Sequence, residues 1–173
     1  MMAPSPSSLV TFFDWSRVAG YHLPSYMPFQ VTVQVYNIDV PSTIIDEGAY
    51  ISLLSSTTWK YLGSLQLVPI TQSLLDFNKG TSQPLGILMK FPITLGGKIV
   101  YLSVLVFQGP LDFNLLLGHD YVYVMGVLFS SLFHVISFLH EGRIVVIRQI
   151  SFIGPNLTLD QPSSLNGPCM QVV

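Results

Sequence analysis

In the stretch Thr43-Ile44-Ile45-Asp46-Glu47-Gly48-Ala49, an apolar run ends at an acid and a glycine follows one residue later. A strand that stops there sets the Asp46 carboxylate at a sharp turn on an apolar base. Burial against Ile44 and Ile45 would raise its pKa toward the range useful to a general acid or base. Taken alone, the pattern also suits a purely structural strand-to-turn junction, because Asp and Gly are ordinary residues of tight turns. The remaining polar candidates offer less. His119, His134 and His140 stand at spacings that fit no zinc motif, and the single cysteine, Cys169, is too far along the chain to support them. They are read as surface or loop histidines, and neither a metal nor a cofactor is expected. Asp112 and Asp120 flank an apolar triplet and read as turn residues, while Trp59, Tyr61 and Met125 read as core.

The elements around Asp46 are predicted to be strands. QVTVQVYNIDV alternates apolar and polar residues with Asn37 and Asp39 at a turn, and STIID then runs apolar into the glycine, a hairpin pattern. Ser56 to Leu62, closed by Gly63, fits a short helix or turn. Further β-rich runs follow, separated by Asn78-Lys79-Gly80 and by Gly96-Gly97, both read as hairpin tips. FNLLLG stops at Gly118, and RIVVIRQISF after Glu141-Gly142 reads as the last strand. The Pro- and Ser-rich residues 1–27 are expected to form a poorly ordered leader, residues 28–153 one domain, and residues 154–173 a disordered tail. No period repeats, and the fold class is all-β or nearly so.

Composition narrows the possible partners. The chain has 173 residues, enough for one domain with a core, and charged residues make up only 9% of it against 50% hydrophobic. That much apolar surface must enter a core, a partner subunit or a membrane. The seven Lys and Arg residues are scattered singly and the net charge is -2, so direct contact with nucleic acid is not expected. One cysteine allows no internal disulfide. The N-terminus lacks a basic region and has Asp14 inside its only apolar run, so secretion is not expected; an intracellular, cytoplasmic location is. Tyr121 to Leu139 is uncharged over a length near that of a bilayer span. Its serines, its β-branched and aromatic residues and its lack of flanking Lys or Arg argue against one.

Several separated segments, in order, resemble the retropepsin domain of plant gypsy-type retrotransposon polyproteins from Gln30 to Phe152. They are QVTVQVYNIDVPSTIID leading into Asp46-x-Gly48-Ala49, then TWKYLG, then LLDFNKGTSQPLGILMKFPITLGG, and lastly FNLLLGHDYVYVMGVLFSSL. The third is similar to the family's flap hairpin. The fourth is similar to its second signature, an apolar triplet and glycine followed by a short helix.

The resemblance implies a retropepsin-like closed β-barrel with one short helix, functional as a two-fold homodimer, in which the 121–139 stretch is helix and strand. It implies an aspartic endopeptidase that processes a polyprotein or peptide substrate, with Asp46 as the catalytic carboxylate. Such an enzyme needs two carboxylates about 3 Å apart that share one proton while a water between them attacks the peptide carbonyl. The chain holds one Asp-x-Gly, so the second carboxylate would come from another copy. Glu47, Gly48 and Ala49 would complete the active-site turn. Asp76, Phe77, Asn78, Lys79 and Gly80 would form the flap over an extended substrate, and Leu116, Leu117 and Gly118 the second signature. The sequence also departs from the family. Glu47 stands where active members usually carry Thr or Ser, although plant element relatives also carry Asp or Asn there; His119-Asp120-Tyr121 replaces the usual Arg-Pro-Trp, Phe129 replaces a proline, and His134 lies one place beyond the usual histidine. Two Asp46 and two Glu47 side chains would crowd four negative charges around one axis. An active protease, a catalytically inactive dimerisation or peptide-binding relic, and a small membrane protein built on 121–139 are therefore the readings carried forward.

Overall fold

The computed structural model of the chain describes residues 27–70, 83–149 and 169–172. Alternation of apolar side chains makes the first hairpin. In β1 (Phe29–Val35), Val31, Val33 and Val35 all turn into the core, and β2 (Ile38–Ile45) returns antiparallel with Val40 and Ile45 buried. Between them Tyr36 and Asn37 adopt φ of 48° and 64°, the paired left-handed conformation whose twist suits a two-residue hairpin.

Next come β3 (Leu53–Ser55) and α1 (Ser56–Tyr61), whose start is capped by the Ser55 hydroxyl accepting the Thr58 N–H. Long strands β4 (Gln83–Leu95) and β5 (Lys98–Gln108) are joined by Gly96 and Gly97. A side chain at Gly96 would have to stand 2.8 Å from the Phe138 ring, so glycine is required there for close packing as well as for its positive φ. After β6 (Leu115–Leu117) come α2 (His119–Met125), β7 (Leu128–Ser130), β8 (Val135–His140), β9 (Arg143–Arg148) and β10 (Cys169–Val172).

Strands β1 to β6 close into a barrel in the order β1-β2-β6-β3-β5-β4, and the other four form a sheet in the order β10-β9-β8-β7. The three-residue strand β6 decides the topology. It runs parallel to β2 and antiparallel to β3, so Leu115 and Leu117 are fully buried and the end of β2 is fixed against the residues before α2. One core joins barrel and sheet. Lys98 Nζ strengthens the join by donating to the carbonyls of Met125 and Leu139 while lying 5.9 Å from the Phe138 ring centroid.

The all-β expectation stands, with hairpin turns at Tyr36–Asn37, Gly96–Gly97 and Glu141–Gly142 near or at the predicted positions. Several expectations are corrected. Two short helices are present where one was expected, because the pattern closed by Gly63 and the residues after Gly118 both wind into helix. The 121–139 stretch divides among α2, β7 and β8, and no helix among the described residues is long and apolar enough to cross a membrane. RIVVIRQISF is not the last strand. Cys169–Val172, within the stretch read as a tail, pairs antiparallel with β9. Tyr61, read as core, is exposed, whereas His134, read as a surface or loop residue, is buried beside the sheet with its carbonyl accepting the Gln149 N–H. Residues 1–26 and 150–168, most of the predicted leader and tail, lie outside the described residues.

Candidate active site

Asp46 is the first residue beyond β2, where the barrel strand meets solvent. Its backbone N–H donates to the Leu117 carbonyl at 2.9 Å, extending the β2–β6 pairing by one bond. Its carbonyl accepts the Ala49 N–H at 3.1 Å, which closes a four-residue turn over Glu47 and Gly48. Its side-chain Oδ1 accepts the Gly48 N–H at 2.9 Å, so the carboxylate is aimed by the turn it initiates. A Cβ at Gly48 would lie 3.1 Å from that same oxygen and crowd it, which gives the glycine a role beyond flexibility.

The turn is held from outside by the segment that follows β6. The His119 N–H donates to the Ala49 carbonyl at 2.7 Å. Gly118 lies against the loop so closely that a Cβ there would be 2.6 Å from the Ala49 oxygen and 2.8 Å from the Ile51 oxygen. Those neighbours are backbone and cannot swing aside, so only glycine fits. The Gly118 N–H donates to the buried Ser52 hydroxyl at 3.1 Å, and that hydroxyl donates to Asp120 Oδ1 at 2.7 Å. Asp120 Oδ2 accepts the Ser52 N–H at 3.1 Å, and Oδ1 also takes the Tyr121 N–H at 2.8 Å.

Of the predicted site residues, the structure thus brings together Asp46, Glu47, Gly48 and Ala49 with Leu117 and Gly118, while Leu116 pairs with Ile44 and Leu53 beside them. Burial of the carboxylate against Ile44 and Ile45 is not found in the single chain. Ile45 is buried, but the strand ends there and Asp46 and Glu47 are exposed. Glu47 makes no hydrogen bond or ion pair among the described residues. The flap residues Asp76 to Gly80 lie outside the described residues. The Ser52–Asp120 contact beside the turn is not anticipated by the sequence. The available signal is an acid two positions after the glycine that ends the apolar triplet, which by sequence alone suits a simple turn residue. No group of three or more potential metal ligands occurs among the described residues.

No protein-family model and no curated protein sequence matches this chain. Among solved structures, the retroviral protease-like domain of Ddi1 from Leishmania major superposes with a TM-score of 0.55 at 17% identity, covering 65% of this chain and 88% of that one. The fold is retropepsin-like. A retropepsin-like aspartic protease from Rickettsia conorii also aligns, with a TM-score of 0.43 at 20% identity, over 59% of this chain and 75% of that one. In this retropepsin-like barrel, the Asp-x-Gly turn and the apolar triplet meet through the parallel β2–β6 pair, which is what sets an acid at the barrel rim.

Proposed function

We propose that this chain is one subunit of an aspartic endopeptidase that hydrolyses peptide bonds through an Asp46 dyad formed across a two-fold homodimer. The observation that carries the reading is the state of Asp46: an exposed carboxylate, fixed by its own turn at the rim of a retropepsin-like barrel, with only one Asp-x-Gly in the sequence. One carboxylate cannot both accept a proton from the attacking water and donate one to the peptide carbonyl. A second copy related by a two-fold axis supplies the partner, and the pair then titrates as a unit. The exposure of Asp46 in the single chain leaves it accessible to such a mate. The segment resemblance supports a polyprotein substrate of the kind encoded by plant gypsy-type elements, bound as an extended strand.

The test is incubation of the purified protein with a mixed peptide library at acidic pH, beside Asp46→Asn. Cleavage by the parent alone is expected; equal cleavage by both, or none by either, rejects the proposal.

Glu47 favours a second reading. It is exposed between Asp46 and Gly48 without a hydrogen bond among the described residues, and its charge would oppose the approach of two turns. A catalytically silent fold that still dimerises or binds peptides answers to that observation. A dimer in sedimentation without turnover would select it.

A further inference from the structure

We propose that Asp120 and Ser52 form a positioning pair that holds the Asp46 turn in its working geometry. The inference rests on reading Asp46 as the reacting carboxylate, but its structural part can be tested without catalysis.

Loop and signature segment are joined by five hydrogen bonds: Asp46 N–H to Leu117 O, His119 N–H to Ala49 O, Gly118 N–H to Ser52 Oγ, Ser52 Oγ–H to Asp120 Oδ1, and Ser52 N–H to Asp120 Oδ2. Three of the five pass through Ser52, and two of those end on the Asp120 carboxylate. An acid that served only the first turn of α2 would need only the Tyr121 N–H. Here the same carboxylate also takes both donors of a residue 68 positions away. Ser52 is fully buried, so its hydroxyl has no water to replace a lost partner.

The arrangement requires a carboxylate. Oδ2 faces the Ser52 N–H, and Oδ1 faces the Ser52 hydroxyl and the Tyr121 N–H. All three groups donate, so both oxygens must accept. An asparagine would place an NH2 against a donor on one side, whichever way its amide turned. The consequence reaches Asp46 along a short path, because Gly118, which the Ser52 hydroxyl holds, is covalently next to Leu117, the acceptor of the Asp46 N–H. A sub-ångström shift there moves the carboxylate relative to its mate, and catalysis by a shared water tolerates such shifts poorly.

Asp120→Asn, Ser52→Ala and the double variant are compared with the parent by amide hydrogen exchange and by peptide-library kinetics. In each variant, exchange at the Gly48 and Ala49 amides is expected to rise about tenfold or more while that at Ile93 and Val100 in the β4–β5 hairpin is unchanged. In a cleaving parent, kcat is expected to fall about 10- to 100-fold with KM held within about threefold. The double variant should be no worse than the worse single one, since both changes cut the same link.

Unchanged exchange at Gly48 and Ala49, a uniform rise across the barrel, or a loss carried by KM alone overturns the proposal. If Asp120→Asn does not fold, Ser52→Ala carries the same tests. A parent without turnover defeats the protease reading and leaves the exchange result to decide the positioning pair; a cleaving parent whose variants keep its kcat defeats the pair alone.

Discussion

Strand β2 has a tight turn at each end, and the two are held in different ways. At its start, Tyr36 and Asn37 sit at positive φ between strands that pair directly across them, so everything that defines the turn lies within a few residues. At its finish, the Asp46–Ala49 turn uses one local side-chain bond and then relies on Leu117, Gly118, His119 and Asp120. The hairpin turn is specified by short-range conformational preference, whereas the turn that carries the Asp46 carboxylate is braced from a distant part of the chain.

The contrast can be broken most forcefully at Gly118. Replacing it with Ala drives a methyl into the Ala49 and Ile51 carbonyls, and a loss of about 3 kcal/mol is expected from urea unfolding, with the Tyr36–Asn37 hairpin retaining its NMR cross-strand contacts. A parallel loss of the hairpin contacts would show that the two turns are not separable.

Tyr121, on the helix that carries Asp120, offers a change of opposite sign. Its hydroxyl is buried with no hydrogen-bond partner among the described residues, so Tyr121→Phe should raise stability by about 1 kcal/mol. Burial also holds the phenol's pKa well above its ordinary 10.0, which means that the unfolded chain loses this proton at lower pH than the native one. This contribution is therefore constant below pH 10 and declines as pH rises above it. Urea midpoints measured across that range should show the decline in the parent and a shallower one in Tyr121→Phe.

At the locally held turn, Asn37→Ala is expected to cost about 1 kcal/mol, because a φ of 64° suits Asn and Gly but strains Ala. Asn37→Gly should restore the parental midpoint. The smallest effect belongs to Asp46→Asn. The amide oxygen can still accept the Gly48 N–H, so stability should stay within about 0.5 kcal/mol of the parent while cleavage is lost. A large fall in its melting temperature would mean that the carboxylate's charge is part of the fold.

The same contrast explains what could be read from sequence. Gly96-Gly97, Glu141-Gly142 and the Asn37 turn were legible because positive φ leaves a compositional mark next to alternating strands. Asp46-Glu47-Gly48 and Leu116-Leu117-Gly118 were legible as segments, although that the two meet follows only from the parallel register of β2 and β6. Asp120 escaped because a hydrogen bond over 68 residues imposes no periodicity, and an acid near a helix start already has an ordinary local explanation. The burial of His134 and the pairing of Cys169–Val172 with β9 were hidden for the same reason: each depends on where a remote strand comes to lie.

The threading of β6 between β2 and β3 also sets a timetable for biosynthesis. During translation Asp46 emerges before the segment that braces it, and local hairpins can form first because their chain closures are short. Only when the stretch through Asp120 has left the ribosome can the rim acquire its final shape. A nascent chain thus cannot brace the Asp46 turn until the last strand of the barrel has been made.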